Sequence, residues 1–499
     1  MQARLYSTAL IGLEAQIVEV EIDISRGKSS INIVGLPDKA VSEAKERIVP
    51  AIKNSKCSFP RGRITVNLAP ANIPKFGSLY DLPISLGILA ASDQINFDFR
   101  KKIIIGELSL DGEVRGVPGI ITMISGSESS GFEKFYIPEE NSFEAGLIQS
   151  AECYGVGSLN DFIEQIKRTD RKPIATMPKK SSEETYKYDL RHINGQEHAR
   201  RALEIAAAGG HNILLSGVPG SGKTYLCRSL PSIMPEMNYK ESIEVTKIYS
   251  IAGLIEKDKP LISKRPFRSP HHTSSQVALV GGGSIPKPGE ITLAHRGVLF
   301  LDEFSEFPQK TLEVLRQPLE DKVVSISRAS ASLTFPANFM LAAAMNPCKC
   351  GYFGDPDVEC TCNPSEFQKY QKKISGPILD RIDLLVKVPK VKMNKLIKKS
   401  ESEESRIVKA RVEEGRRLQT ERFAKDEVFS NSEMSQNHIK QFIHLKKTSL
   451  ELLKTAIDSL NLSARSYFKT LKVARTIADL EGSESISRDH IAEALSYRF

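Results

Sequence analysis

Apolar positions along the chain follow two periods, and the change from one to the other divides it into regions. Across residues 1–165, short strand-like runs, QIVEVEIDI (16–24), SSINIVGL (29–36), RITVNLAP (63–70) and KIIIGELSL (102–110), alternate with segments of helical spacing. From Asp38 to Lys53, apolar residues at 41, 44, 48, 51 and 52 predict a helix. Pro50 is expected to bend or end it, because proline lacks the N–H and crowds the preceding turn. Over 166–188 the periodicity vanishes and Pro, Lys, Ser and Thr take over, which predicts a linker. Apolar strands return at HNILLSG (211–217), GVLFLDE (297–303) and FMLAAAMN (339–346), separated by helical stretches, so residues 189–390 predict a mainly parallel sheet covered on both faces. Beyond 390 the strands stop, and KKSESEESRIVKARVEEGRRLQTERF, LSARSYFKTLKVARTIADLEG and HIAEALSYRF predict an all-helical region over 391–499. The fold class is α/β and multidomain.

Composition narrows this little. A chain of 499 residues exceeds one hydrophobic core, and 40% hydrophobic with 26% charged residues is ordinary for a globular protein. The net charge of +8 permits an anionic partner without requiring one. The N-terminal MQARLYSTALIGLEAQIVEVEID meets Glu14 before any cleavage-like site, and no apolar stretch has the length of a transmembrane helix, so neither a signal peptide nor membrane insertion is expected. Three of the seven cysteines, Cys57, Cys153 and Cys227, stand singly among apolar neighbours, and an odd total suits a disulfide framework poorly. A reducing cytoplasm is the expected location.

The chemistry starts at GVPGSGKT. Gly217, Val218, Pro219, Gly220, Ser221, Gly222, Lys223 and Thr224 satisfy G-x-x-x-x-G-K-[ST] between an apolar strand and the helical YLCRSL. Glycines let backbone N–H groups turn toward phosphate oxygens, Lys223 would reach the β- and γ-phosphates of ATP, and Thr224 would ligate Mg²⁺. Downstream, the apolar strand VLFLDE ends in two carboxylates. Asp302 is expected to orient hydrated Mg²⁺ and Glu303 to polarise the attacking water, since phosphoryl transfer needs a positioned nucleophile more than covalent help.

With these motifs in place the chain resembles an AAA+ ATPase, and more closely the magnesium-chelatase-like proteins of the ComM/YifB type. The resemblance is carried by VGLPDKAVSEAKERI, VNLAPANIPKFGSLYDLPISLGIL, GVPGSGKT, RPFRSPHHTSSQVALVGGGSIPKPGEITLAHRGVLFLDEF, NPCKCGYFGDPDVECTC, ISGPILDRIDL and SARSYFKTLKVARTIADL, nearly the full length in order. It implies a Lon-protease-like N-terminal α/β domain (1–165), an AAA+ core (189–390) and a helical lid (391–499). It implies that Asn346 holds the attacking water, that Arg381 is an arginine finger offered to a neighbouring subunit, and that Arg465 reaches ATP in cis or in trans. The resemblance also implies a ring, a homohexamer, and a finger acting in trans would make the isolated subunit a poor ATPase. The excursion LVGGGSIPKPGEI (279–291) and the hairpin-like VVSISRASASLTF (323–335) resemble pore loops of ring helicases, with Lys287 and Arg328 as DNA phosphate contacts.

The activity implied is an ATP-driven DNA motor, a branch-migration helicase working with recombination proteins during natural transformation. The alternative is a protein remodeller or chelatase-like activator with a protein partner. Ser78 is present in the N-terminal region, yet no Lys partner follows in DGEVRGVPG, so this domain is read as non-proteolytic.

Two features stand beside this machinery. Cys348, Cys350, Cys360 and Cys362 form two C-x-C pairs within 346–362, a set able to hold structural Zn²⁺ in a closed Cys₄ site, with a disulfide or uncommitted thiols as alternatives. His271 and His272 adjoin without a recognisable ligand near them in sequence, and a structural or phosphate-contacting role is expected.

Overall fold

The computed structural model describes residues 1–167, 172–175, 186–256, 259–283, 287–327, 332–391, 402–426, 428–460 and 463–498. Arg328 and most of the expected linker lie outside them.

Nine strands form in the N-terminal region: β1 (Gln2–Ile11), β2 (Glu14–Ser25), β3 (Ser30–Val34), β4 (Arg63–Ala69), β5 (Lys102–Ile104), β6 (Glu107–Leu108), β7 (Val114–Arg115), β8 (Lys134–Pro138) and β9 (Glu152–Val156). Seven build one mixed sheet in the order β3-β4-β2-β1-β5-β8-β9. β1 and β2 are an antiparallel hairpin from Gln2↔Asp23 to Ile11↔Glu14, whereas β1–β5, β5–β8 and β8–β9 pair in parallel. Alternation alone hides β1. Its Ser7 and Thr8 are both fully buried, so polar residues occupy core positions on adjoining sites.

Helices Ala44–Asn54, Asp81–Ala91 and Ile120–Ser129 cover the sheet. The expected helix from Asp38 breaks at Glu43 instead of at Pro50, and Pro50 lies inside the second piece. Burial decides this: Ile48, Ala51 and Ile52 are fully buried on both sides of the proline and hold the turn that its missing amide weakens.

A second sheet is wholly parallel, in the order β11-β14-β17-β10-β18. Its strands are β10 (Ile213–Gly217), β11 (Phe267–Arg268), β14 (Val298–Leu301), β17 (Met340–Met345) and β18 (Leu384–Val388). Two short antiparallel ladders stand outside it, β12 (Gly281–Gly282) with β13 (Lys287–Pro288), and β15 (Val323–Ser327) with β16 (Ser332–Pro336). One face of this sheet shares its core with C-terminal helices Ser405–Arg422, Ala464–Leu480 and Arg488–Ser496. The other packs Leu279, Phe304, Phe335 and Ile378. Ile11 and Leu13, at the β1–β2 turn, join that second core, so the N-terminal sheet rests against the β15–β16 hairpin. A polar contact ties the same domains elsewhere: Gly119 N–H donates to Ser250 Oγ at 2.9 Å, and the Ser250 hydroxyl donates to the buried Glu144 carboxylate. No helix among the described residues is long and apolar enough to cross a membrane.

Candidate nucleotide site and the arginine pair

Parallel strands end on one edge of the sheet, and the phosphate-loop residues collect there. Gly217 closes β10, and the loop that follows needs positive φ at Gly220 (+74°) and Gly222 (+89°) before helix Lys223–Ser229 begins. Lys223 donates to the carbonyls of Gly217 (2.7 Å) and Val218 (2.8 Å), and its burial lowers its pKa. Across one intervening strand, Thr224 Oγ1 donates to Asp302 Oδ2 at 2.9 Å. A hydroxyl and a carboxylate at hydrogen-bond distance beside the loop form an oxygen-donor pair suited to a hard divalent cation.

Glu303 follows Asp302 in the left-handed region (φ +51°), with its N–H on Asp302 Oδ1 at 3.0 Å. Its carboxylate lies 3.0 Å from His272 Nδ1 and remains 61% exposed at the side chain. His272 comes from the loop after β11, and its ring lies 4.1 Å from that of His271. Sequence reasoning left the histidine pair without a partner, and its partner proves to be the expected water-polarising carboxylate. Asn346 follows β17 on the same edge, where its carbonyl accepts from Tyr370 O–H (3.2 Å), which also contacts Ser305 Oγ (2.5 Å). The phosphate loop, Asp302, Glu303 and Asn346 are thus brought together.

Arg381 and Arg465 are brought together as well, but elsewhere. Arg381 lies just before β18, and its carbonyl accepts from Asn212 Nδ2 at 2.9 Å, next to the first residue of β10. That is the opposite edge of the sheet, a strand length of about 13–16 Å from Gly217 at ~3.3 Å per residue. Arg465, in the first turn of helix Ala464–Leu480, joins Arg381 on a single carboxylate: both guanidinium groups bind Glu320, Arg465 at 2.6 Å from Oε1. They line a cavity of about 610 Å³. Nothing in the sequence marks Glu320.

Of the two expected DNA contacts, Lys287 is exposed on the short ladder, paired in register with Gly282. Arg328 lies outside the described residues, while β15 and β16 form the expected hairpin on either side of it. The two excursions touch, since a Cβ added at Gly281 would lie 3.3 Å from Ile326 Cδ1.

In the cysteine segment, Cys348 Sγ lies 3.3 Å from Cys350 Sγ and 3.7 Å from Cys360 Sγ, and Cys350 and Cys360 are 3.5 Å apart. All four sulfurs fall within 4.8 Å of one another, and every cysteine of the chain is free, so the disulfide alternative is not the one formed. Tetrahedral Zn–S bonds of ~2.3 Å would set sulfurs about 3.8 Å apart, so little adjustment is needed. Backbone amides already point at sulfur, Cys350 N–H to Cys362 Sγ and Phe353 N–H to Cys348 Sγ, each at 3.3 Å. The cluster could hold a metal ion.

In the N-terminal domain Ser78 donates to Glu107, and the nearby Lys75 is fully buried with its ammonium on the Pro70 carbonyl. The hydroxyl and the amine are each engaged elsewhere.

Three family models match in order along the chain: "Subunit ChlI of Mg-chelatase" at 20–141, "Magnesium chelatase, subunit ChlI" at 189–396, and "Magnesium chelatase, subunit ChlI C-terminal" at 402–498. The chain is 42% identical over 504 residues to competence protein ComM of Haemophilus influenzae, covering 99% of this chain and 97% of that protein. It is 40% identical to YifB of Escherichia coli over 501 residues, 99% of this chain and 96% of that one. A shorter likeness, 23% over 193 residues, joins 39% of this chain to 22% of the DNA replication licensing factor mcm7-B of Xenopus laevis.

Proposed function

We propose, from the premise that this chain belongs to the magnesium-chelatase-like AAA+ family of the ComM/YifB type, that it is an ATP-hydrolysing ring motor on DNA that drives branch migration in recombination during natural transformation. The observation that carries the ring is the division of the machinery. The phosphate loop and Glu303 sit at one edge of the sheet, and Arg381 with Arg465 at the other. Neither arginine can reach the nucleotide of its own subunit across that span. A second copy, set edge to edge, would bring the pair to the γ-phosphate, and a closed homohexamer would repeat the contact at every interface. Arg465, left open between cis and trans by sequence, is read as acting in trans because it shares its partner with Arg381.

Within one such interface, Lys223 and the loop amides hold the β- and γ-phosphates. Thr224 and Asp302 would hold Mg²⁺, which when bound neutralises phosphate charge. Glu303 leaves His272 to accept a proton from the attacking water, Asn346 orients that water, and the two planar guanidinium groups stabilise the charge that develops on the phosphoryl oxygens. The Cys₄ cluster is read as structural Zn²⁺, because four sulfurs leave no open position for catalysis.

The DNA reading is supported by Lys287 and the Arg328 hairpin as adjoining basic excursions, by the net charge of +8, and by relatives named for competence and for DNA replication licensing. The N-terminal domain, with Ser78 held by Glu107, serves as a platform without protease activity. Free thiols and the absence of a membrane-crossing helix among the described residues suit a cytoplasmic motor.

Glu303→Gln should retain ATP binding and lose at least a hundredfold in turnover. Normal turnover would reject the assignment of Glu303. Branch migration of three- and four-way junctions, with and without ATP, tests the motor. ATPase stimulated by a protein and indifferent to DNA at low salt would favour a remodeller instead.

A further inference from the structure

The two arginines meet on Glu320, and the character of their surroundings gives that carboxylate a role. Besides Arg381 and Arg465, the cavity is lined by Lys322, Lys469 and Lys472, making five basic groups against Glu320, Asp383 and Glu433. The last two acids are committed within the fold. Asp383 binds Lys469 at 2.9 Å and accepts from Asn212 N–H at 3.0 Å, while Glu433 accepts from Asn338 Nδ2 at 3.0 Å and from Phe429 N–H at 3.2 Å. Glu320 differs from both. Its side chain is 48% exposed, and its bonds among the described residues are to the two guanidinium groups. It is therefore the acid most easily displaced, and its departure leaves a strongly cationic mouth with two planar guanidinium groups spaced for one small oxyanion.

A carboxylate that bridges two guanidinium groups presents oxygens to them much as a terminal phosphate does. We infer that Glu320 is a placeholder: in the lone subunit it occupies the position at which the Arg381–Arg465 pair receives the terminal phosphate of a nucleotide held by a second copy of this chain, and it leaves when that phosphate arrives. The inference rests on the trans reading of the arginines given above.

Glu320 belongs to helix Arg316–Asp321, which ends two residues before β15. Lys322 follows with φ +59°, and its carbonyl accepts from Ala337 N–H at 2.7 Å, closing the base of the β15–β16 hairpin. Displacing Glu320 thus releases a constraint at the root of the hairpin that carries Arg328.

The test uses the full chain. Assembly is followed by sedimentation velocity with Mg²⁺ and a non-hydrolysable ATP analogue, and ATPase rate per subunit is measured against subunit concentration, for wild type, Glu320→Gln, Arg381→Ala, Glu320→Gln/Arg381→Ala and mixtures of Arg381→Ala with wild type. A placeholder opposes the incoming phosphate, so Glu320→Gln should reach half-maximal assembly at a subunit concentration at least threefold lower. Adding Arg381→Ala should cancel that gain. An unchanged or raised half-maximal concentration in Glu320→Gln overturns the placeholder, as expected of an ion pair that only stabilises the fold or of a group needed in the assembled site. If Glu320→Gln melts below the assay temperature, Glu320→Asp replaces it, because its side chain, one methylene shorter, holds the carboxylate back from the two guanidinium groups and should shift assembly the same way. Failure of the premise has a different signature: Arg381→Ala alone would keep its turnover, and its mixtures with wild type would show strictly additive rates.

Discussion

Gly351 adopts a φ of +90°, and a Cβ built on it would lie 2.8 Å from Pro219 Cγ, within the phosphate loop. The cysteine segment therefore leans on the GVPGSGKT loop, which its place in the sequence does not reveal. Gly351→Ala would add left-handed strain of roughly 1–2 kcal/mol and push on Pro219. ATP affinity should fall several-fold while the fold persists, as read by nucleotide titration and thermal melting. Cys350 carries a second test of this segment. Its thiol pKa is lowered to about 5, chiefly by the Tyr352 amide, whereas that of Cys360 is raised to about 12 and that of Cys362 is raised, so the four thiols divide the charge unequally. Cys350→Ser should abolish a stoichiometric zinc signal in elemental analysis and lower the melting temperature, and chelation of wild type should lower it as well. Metal-free wild type with the variant's stability would reject the metal. The residues of GVPGSGKT, Asp302 and Glu303 were legible because each reports through its immediate sequence neighbours. Glu320 was not, since its partners Arg381 and Arg465 are 61 and 145 positions away.

Between elements, the N-terminal domain is fastened to the AAA+ core through helix Tyr239–Ala252. Ser250 there accepts from Gly119 N–H and donates to Glu144, a carboxyl whose pKa is raised by burial. Ser250→Ala would leave a buried amide and a buried carboxylate each short of a partner, a cost of about 1–3 kcal/mol. The expected result is a lower unfolding midpoint with unchanged ATP affinity, and an unaltered midpoint would show the contact to be replaceable. Strands β10, β14 and β17 of the parallel sheet were visible as apolar runs because they are almost wholly buried, whereas β11, of two residues, and β18, with Lys387 exposed, were not among the expected strands. Elements were also less visible where tertiary burial overrides local preference, as in β1 with its buried Ser7 and Thr8, and in the helix that runs through Pro50.

Across the whole molecule, the helical C-terminal region and the parallel sheet share a core, with His211 at the join. His211 is fully buried, its Nε2 lies 2.8 Å from Thr476 Oγ1, and burial lowers its pKa below the ordinary 6.5 despite Asp383. Unfolded chains then bind a proton near pH 6.5 that the folded chain refuses, so this stability is present above that pH and is lost as pH falls below it. Asp81, raised to about 6 by burial, and Glu144 act in the opposite direction, so the total slope is a sum. The test is therefore a difference. Below pH 6.5, denaturant-measured stability of wild type should fall more steeply than that of His211→Gln, by about 1.4 kcal/mol per pH unit. Equal slopes would mean that His211 takes up its proton in the folded state.

The sequence by itself determined the phosphate loop, the carboxylate pair closing VLFLDE, the four-cysteine cluster and the order of α/β, parallel-sheet and helical regions, because loop geometry and the periodicity of burial are properties of neighbours along the chain. The tertiary structure decided that Arg381 and Arg465 share Glu320 at the far edge of the sheet, that His272 faces Glu303, and that the cysteine segment bears on Pro219. These pairings arise when strands and helices distant in sequence pack on one another, and charge complementarity across such contacts leaves no local trace in the order of the amino acids.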